Sequence, residues 1–254
     1  MQTRYLCQFS CGAASAIATK LAIAEYGNRC QIVNAFIKNE HPDNRRFLAD
    51  CERWFGQAVT VLRDERFGAD IVRVFRHKQF IKGPRGATCT LTLKRELLQA
   101  VERPGDVLVL GFDASEQDRF DDFVERWPDR PAVAPLIERG LGKEDCKAML
   151  ERAGIELPLM YRLGYDNANC IGCVKGGEGY WRAIRQDFPA EFAEIAQAEA
   201  DICDVNSYLL RHRSGPMKGN RFRLLDLPDG PARRNEALPA CSFFCEMAEQ
   251  EYGA

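Results

Sequence analysis

The sequence predicts an α/β protein with a doubly wound, mostly parallel sheet of the Rossmann-like α/β/α kind. Three observations carry this. Short apolar runs of strand length alternate with stretches of helical periodicity through the first half of the chain. Each run has the length of a buried parallel strand, which fits a sheet covered on both faces. The first run also passes through a turn of small residues straight into a helix, as a βα unit does. With 254 residues, 46% of them hydrophobic, the chain is long enough for one sizeable domain and a small appendage.

In order, strands are expected at 4–10, 31–37, 58–62 and 107–111, with helices at 14–24, 45–55 and 91–101. The helix at 45–55 sets Phe47, Leu48, Cys51, Trp54 and Phe55 on one side. After about residue 130 the alternation fades. Helices at 143–153, 180–187 and 190–204 follow, then a hairpin at 221–227 with Pro228-Asp229-Gly230 as its turn signal. This divides the chain into an α/β part, 1–130, and a helical, cysteine-bearing part, 131–254, packed on it.

The formal net charge of −2 gives no overall basic field that would by itself call for nucleic acid. No apolar run approaches the ~18 residues of a membrane span, and Met1 to Arg4 leads into a strand without a signal-peptide core, so a cytoplasmic protein with no membrane partner is expected. In that reducing compartment eleven cysteines are better read as metal ligands, reactive thiols and core residues than as a disulfide framework. Cys7, Cys30, Cys51, Cys146 and Cys203 read as packing residues.

In parallel sheets ligands bind beyond the carboxyl ends of the strands. Ser10, Lys38 to His41, and Gly111 to Glu116 should therefore converge on one crevice. The turn Ser10-Cys11-Gly12-Ala13-Ala14-Ser15 puts small residues at a helix start, whose unpaired N–H groups attract anions; the plainer reading is a helix capped by Ser10. The loop Lys38-Asn39-Glu40-His41-Pro42-Asp43-Asn44 is either a contact to a ligand or a polar connection in which Asp43 or Asn44 caps the next helix. Candidate anion contacts are Lys94, Lys175, Arg85 and Arg119. The basic stretch 214–223 reads as a lid, a nucleic-acid contact or an ordinary hairpin approach.

Cys170-Ile171-Gly172-Cys173 brings two thiolates to one metal from a single turn, and a four-thiolate site needs partners from elsewhere. Cys89, in Ala87-Thr88-Cys89-Thr90, and Cys241 and Cys245 are the candidates. Iron–sulfur and zinc both suit such a donor set.

The turn at 10–15 resembles the PP-loop of the adenine-nucleotide α-hydrolase-like superfamily, Ser-Gly-Gly-x-Asp-Ser. Ser10, Gly12 and Ser15 match, while Cys11 and Ala14 replace a Gly and the Asp that helps hold Mg²⁺. Cys89, followed by a helix bearing Lys94 and some eighty residues later by Cys170 and Cys173, resembles the adenylyl-sulfate reductase pattern that holds a 4Fe-4S cluster. The double cysteine of that pattern is single here, so Cys241 or Cys245 is expected to supply the fourth thiolate. The reductases' terminal Glu-Cys-Gly-(Ile/Leu)-His motif is absent, which leaves open whether a late cysteine is the nucleophile. The segment Gly111 to Glu116 resembles the reductases' Gly-hydrophobic-Arg-x-x-Glu, with Asp113 where Arg is usual.

This likeness to the phosphoadenylyl-sulfate reductase family implies an adenine nucleotide or sulfonucleotide on Ser10, Cys11, Gly12, Ala13, Ala14 and Ser15, with Glu40 and Gly111 nearby. It implies Lys94, Glu116 and Cys245 as catalytic residues, a thiol or electron donor, and oxidoreductase or sulfur-transfer chemistry. The competing expectations are ATP-dependent thiolation of tRNA or DNA, and a zinc-stabilised nucleotide-binding regulatory module. The sequence leaves the oligomeric state open.

Overall fold

The computed structural model describes residues 2–83, 86–202, 208–212 and 216–238. Arg85, Cys203, Cys241 and Cys245 lie outside the described residues, and so do the roles expected of them.

The chain runs β1 (Tyr5–Gln8), α1 (Ala13–Tyr26), β2 (Cys30–Ala35), α2 (Asp43–Phe55), β3 (Val59–Leu62) and α3 (Ile71–Lys78). A two-residue antiparallel pair, β4 (Lys82–Gly83) and β5 (Gly86–Ala87), leads into a continuous helix made of α4 (Thr88–Thr90), a π turn (Leu91–Arg95) and α5 (Glu96–Val101). Then come β6 (Val107–Val109), a 3₁₀ turn (Ala114–Glu116) running into α6 (Gln117–Arg126), and β7 (Ala132–Val133). The rest is α7 (Lys143–Arg152), α8 (Leu159–Arg162), α9 (Glu178–Asp187), α10 (Pro189–Ile202), and the antiparallel pair β8 (Leu210–Arg211) and β9 (Arg221–Phe222).

The five central strands are all parallel, in the order β3-β2-β1-β6-β7. Because successive side chains of a strand leave opposite faces, Leu6 and Cys7 belong to different layers. Cys7, Ile32 and Val109 pack with Ile17 of α1, Phe47 and Phe55 of α2 and Leu150 of α7. Leu6, Val33 and Leu108 pack with Leu98 of α5 and Phe123 of α6. Helices thus cover both faces of the sheet. A third core joins α3 to α9, α10 and the β8–β9 pair around Trp181, Tyr180 and Phe75, all almost completely buried. No helix among the described residues is long and apolar enough to cross a membrane.

Three local expectations are corrected. The sheet continues past residue 130, because Ala132–Val133 pairs with β6 as a fifth strand too short to leave a periodic signal. The late hairpin closes on the other side: β9 pairs backwards with β8, and Pro228-Asp229-Gly230 is not its turn. That segment instead docks on α9, the Pro228 carbonyl accepting from Arg182 Nε (2.9 Å) and the Leu227 carbonyl from Arg185 Nη1 (2.8 Å). Finally, neither Asp43 nor Asn44 caps α2. Both are inside the helix, and the Asp43 carboxylate accepts from Arg46 and from the Leu159 N–H (2.7 Å), tying α2 to α8.

A single buried carboxylate organises the hairpin. Glu199 of α10 accepts from the N–H groups of Leu209 and Leu224, each at 2.6 Å. Glu199→Ala would strand both N–H groups in the core, and a loss of about 3 kcal/mol of stability is expected in chemical denaturation. Glu199→Gln keeps one acceptor and should lose less.

Candidate functional site

The strand order reverses between β1 and β6, and the crevice that such a reversal opens at the carboxyl ends of the strands is occupied by a cavity of about 400 Å³. This volume is typical of small-molecule sites. Ser10, Gly12, Ala14 and Ser15 line it from the β1–α1 turn, and Gly111, Asp113 and Glu116 from the segment after β6. Val33, Ala35, Leu98, Leu110 and Phe112 give it an apolar side. Two of the three expected segments therefore converge. Of the third, Lys38 turns out to solvent and pairs with Asp70 at 2.7 Å, and only Glu40 comes close, through Lys94.

Three helix starts meet around this cavity: α1 at Gly12, the 114–126 helical segment at Asp113, and α7 at Gly142. First-turn N–H groups lack intrahelical acceptors and carry the positive end of the helix dipole; the starts at Asp113 and Gly142 are answered by the carboxylates of Asp113, Glu116 and Asp145, and the α1 start, with no side-chain cap, is the one that favours an anion. Ser10 is not the cap of α1. Gly12 holds that position with no side-chain cap, while Ser10 N–H and Oγ meet Ser15 Oγ at 3.2 and 3.1 Å. The Ala13 N–H is taken by the Tyr161 hydroxyl (3.3 Å). Gly111 lets the end of β6 approach this turn, since a Cβ there would stand 3.0 Å from Ser15 Cα.

Cys11 has φ +59°, a left-handed conformation that costs any side-chain-bearing residue. The thiol is buried, and Asn34 Nδ2 (3.5 Å) and Arg45 Nη2 (3.7 Å) approach its sulfur.

Lys94 projects from the π turn into the cavity wall and is 7% exposed. Its ammonium lies 3.5 Å from Glu40 Oε1, whose other oxygen accepts from Arg45 Nη2 and Asn44 Nδ2, both at 3.2 Å. Two cations thus share one carboxylate beside the α1 start. The wider π turn is a local register change often found at functional positions. Asp113 and Glu116 form a reciprocal capping box: Asp113 Oδ1 accepts from Ser115 N (2.8 Å), Glu116 Oε2 accepts from Asp113 N (3.2 Å), and Glu116 also pairs with Arg119. Two buried amide nitrogens lining the cavity, Gln8 Nε2 and Asn169 Nδ2, have no acceptor among the described residues. They are donors available to a ligand.

Cys170 and Cys173 are both buried, joined by a turn in which Gly172 has φ +72° and a Cβ would meet Ile195 Cδ1 at 2.5 Å. Tyr180 Oη accepts from the Cys173 N–H (2.8 Å) and donates to the Cys170 carbonyl (3.3 Å). Burial, and then the nearby Cys173 sulfur, pushes its phenol well above the usual range, so it remains a neutral donor. The pair is fastened to the strand-end loop by the Ile171 N–H to Asn39 carbonyl bond (2.9 Å) and a bridge between Glu40 and Cys170. Cys89 packs against the same core cluster from the start of α4.

Among the described residues no group of three or more His, Cys, Asp or Glu is gathered as a metal site. Cys241 and Cys245 are outside those residues. Cys170 and Cys173 bring two buried soft sulfurs to one tight turn, and a thiolate-ligated centre there would need further ligands from elsewhere in the chain.

Asn34, Arg45, Tyr161 and Asn167 to Asn169 are site residues that the sequence does not single out. Asn167 to Asn169 stand directly before Cys170, and that proximity is the available signal. Asn34 and Arg45 lie on regular elements and carry none. The comparison with protein-family models finds no match for this chain. The comparison with curated proteins finds none either.

Burial raises the Cys11 and Cys146 thiols to about 12, and the Tyr161 phenol likewise to about 12. For the thiols the folded state holds the proton more tightly than the unfolded chain, whose ordinary value is 9.0. Their contribution to stability is complete below pH 9 and is lost as the pH rises through about 12. Thermal melts should therefore shift downward as the pH is raised above about 9, and Cys11 should resist alkylation in native protein at about pH 8 while reacting in denaturant.

Proposed function

We propose that the chain is a PP-loop-type enzyme that binds an adenine nucleotide at the α1 start and carries out sulfur chemistry beside a thiolate-ligated metal centre, with sulfonucleotide reduction as the leading reaction. The observation that carries this reading is the placement of the Cys170–Cys173 turn: it is hydrogen-bonded to the loop after β2, and Asn169, its neighbour, lines the cavity at the α1 start. A 4Fe-4S cluster on Cys89, Cys170, Cys173 and one of Cys241 or Cys245 would supply electron-transfer and sulfur-polarising chemistry there.

The chain's own residues orient and stabilise. Helix-start amides of α1 hold the nucleotide phosphate, and the apolar side of Val33, Ala35, Leu98 and Leu110 accepts the base. Lys94, buried and sharing Glu40 with Arg45, stabilises negative charge developing on the leaving group. In the reduction two thiols of a donor become a disulfide, the sulfonyl sulfur takes their two electrons and leaves as sulfite, and the nucleotide phosphate keeps the bridging oxygen. Zinc in place of the cluster is the runner-up and would fit a regulatory, non-catalytic module.

ATP-dependent thiolation of a nucleic acid is the second reading. Ala14 offers no oxygen to Mg²⁺, and the facing carboxylates Asp113 and Glu116 are engaged in their capping box. A second concavity, beside the turn after Cys173 and with Arg211 and Lys218 exposed in its lining, favours this reading nonetheless. The test is an anaerobic assay of sulfite release from adenylyl sulfate and its 3′-phosphorylated form, run beside pyrophosphate release from Mg-ATP with tRNA or DNA. Sulfite is expected; pyrophosphate release with nucleic acid and no sulfite would reverse the order.

A further inference from the structure

We infer that a second concavity, between the turn after Cys173 and the β8–β9 hairpin, is a docking groove for a single-stranded nucleic acid. The groove lies apart from the nucleotide cavity, and its role does not depend on what that cavity binds. It has a volume of about 620 Å³, and Lys82, Lys175, Arg211, Lys218 and Arg221 are among its lining residues; the Lys175 ammonium is buried, Lys82 and Arg221 bond the Val174 and Tyr208 carbonyls, and Arg211 and Lys218 carry their charge at the exposed surface. Among the described residues the one carboxylate in its lining is Glu178, which is itself held by Arg182 at 2.7 Å. On a chain whose net charge is −2, so strong a local positive excess is a feature of the groove and not of the surface at large.

The chemistry of the lining selects the partner. Arg211 and Lys218 are exposed and can follow a phosphate backbone. His212, also in the lining, stacks on Phe222 with ring centroids 4.3 Å apart and an interplanar angle of 24°, and Phe222 is buried beneath. An aromatic face braced in this way, among repeated cations, is the platform on which unpaired bases stack. A duplex hides its base faces, and a bilayer is flat where this lining is concave. The position is telling too. Asn167, Ala168 and Asn169, before the cysteine pair, line the nucleotide cavity, whereas Lys175, Gly176 and Gly177, after it, line the groove. Lys82 Nζ also donates to the Val174 carbonyl (2.5 Å), joining the groove wall to the residue next to Cys173. A strand lying in the groove would pass close to the thiolate-bearing turn.

The experiment is fluorescence anisotropy of the full chain, purified anaerobically, with labelled single-stranded RNA and DNA oligonucleotides over a range of salt. Micromolar or tighter binding is expected at low salt. The double variant Arg211→Glu/Lys218→Glu should weaken it by at least about tenfold and reduce the slope of log affinity against log salt by about 0.7 for each phosphate no longer neutralised. His212→Ala should weaken it by about fivefold without changing the salt slope, and His212→Tyr should restore it. Absence of binding by the parent protein, equal binding by the double variant, or heparin competing as well as oligonucleotide with His212→Ala indifferent would each overturn the inference. So would capture of phosphatidylserine vesicles without oligonucleotide binding. AMP binding, followed in the same preparations, should be equal in parent and variants, so a failure of the groove and a failure of the cavity are read separately.

Discussion

Cys170→Ser is expected to remove all iron and sulfide from anaerobically purified protein, and with them the brown colour and broad visible absorption of a thiolate-bound cluster. Serine is nearly isosteric but is a hard oxygen donor that does not deprotonate at neutral pH, so it cannot replace a soft thiolate. The fold should survive. Cys170 sits at the margin of its core cluster, 8% exposed, and the turn is held independently by Tyr180 and by the Ile171 N–H to Asn39 carbonyl bond. Cys146→Ser is the matched control: Cys146 is completely buried, in the core cluster that α7 shares with α1 rather than the one that holds the turn, and its loss should leave iron content unchanged. Cys89→Ser should behave like Cys170→Ser. Stoichiometric zinc with no iron or sulfide in the parent protein would falsify the cluster and promote the regulatory module.

The architecture is legible because parallel strands buried on both faces are short apolar runs, and four of the five central strands announce themselves in this way. Ala132–Val133 does not, since two residues carry no period. The turn of the late hairpin is not legible, because Pro-Asp-Gly is a turn signal by composition while here Arg182 and Arg185, on a helix some forty residues earlier in the chain, hold this segment by its carbonyls. The convergence of Ser10 and Gly111 to Glu116 follows from topology alone. The state of Glu116 does not: a carboxylate three residues after Asp113 can reach a substrate or close a capping box, and only the helix start at Ala114 decides between them. In the same way nothing in Arg45 or Asn34 marks them locally. They matter because β2 and α2 bring them to the Cys11 sulfur and Glu40.

Gly12→Val is expected to lower adenine-nucleotide binding at least tenfold, about 1.4 kcal/mol, in a protein that remains folded. The two halves of that expectation rest on different features of one residue. Gly12 has φ −98° and ψ 158°, extended backbone open to any amino acid, so no conformational strain attends the change. A Cβ at this position meets Tyr161 Oη at 3.5 Å and the Ser10 and Ser15 hydroxyls at 3.8 and 3.9 Å, ordinary contacts that need no backbone shift. The two methyl groups of valine extend from there into the cavity at the α1 start, where a phosphate must lie to reach the first-turn N–H groups. Gly111→Ala provides the contrast. Its Cβ would stand 3.0 Å from Ser15 Cα and 3.2 Å from Ser15 N, so the start of α1 must move, and both the melting temperature and nucleotide affinity should fall together. Titration of AMP or a sulfonucleotide by calorimetry, with thermal melts of the same samples, separates the cases. A folded Gly12→Val protein that binds as the parent does would mean that the α1 start closes a helix and holds no phosphate.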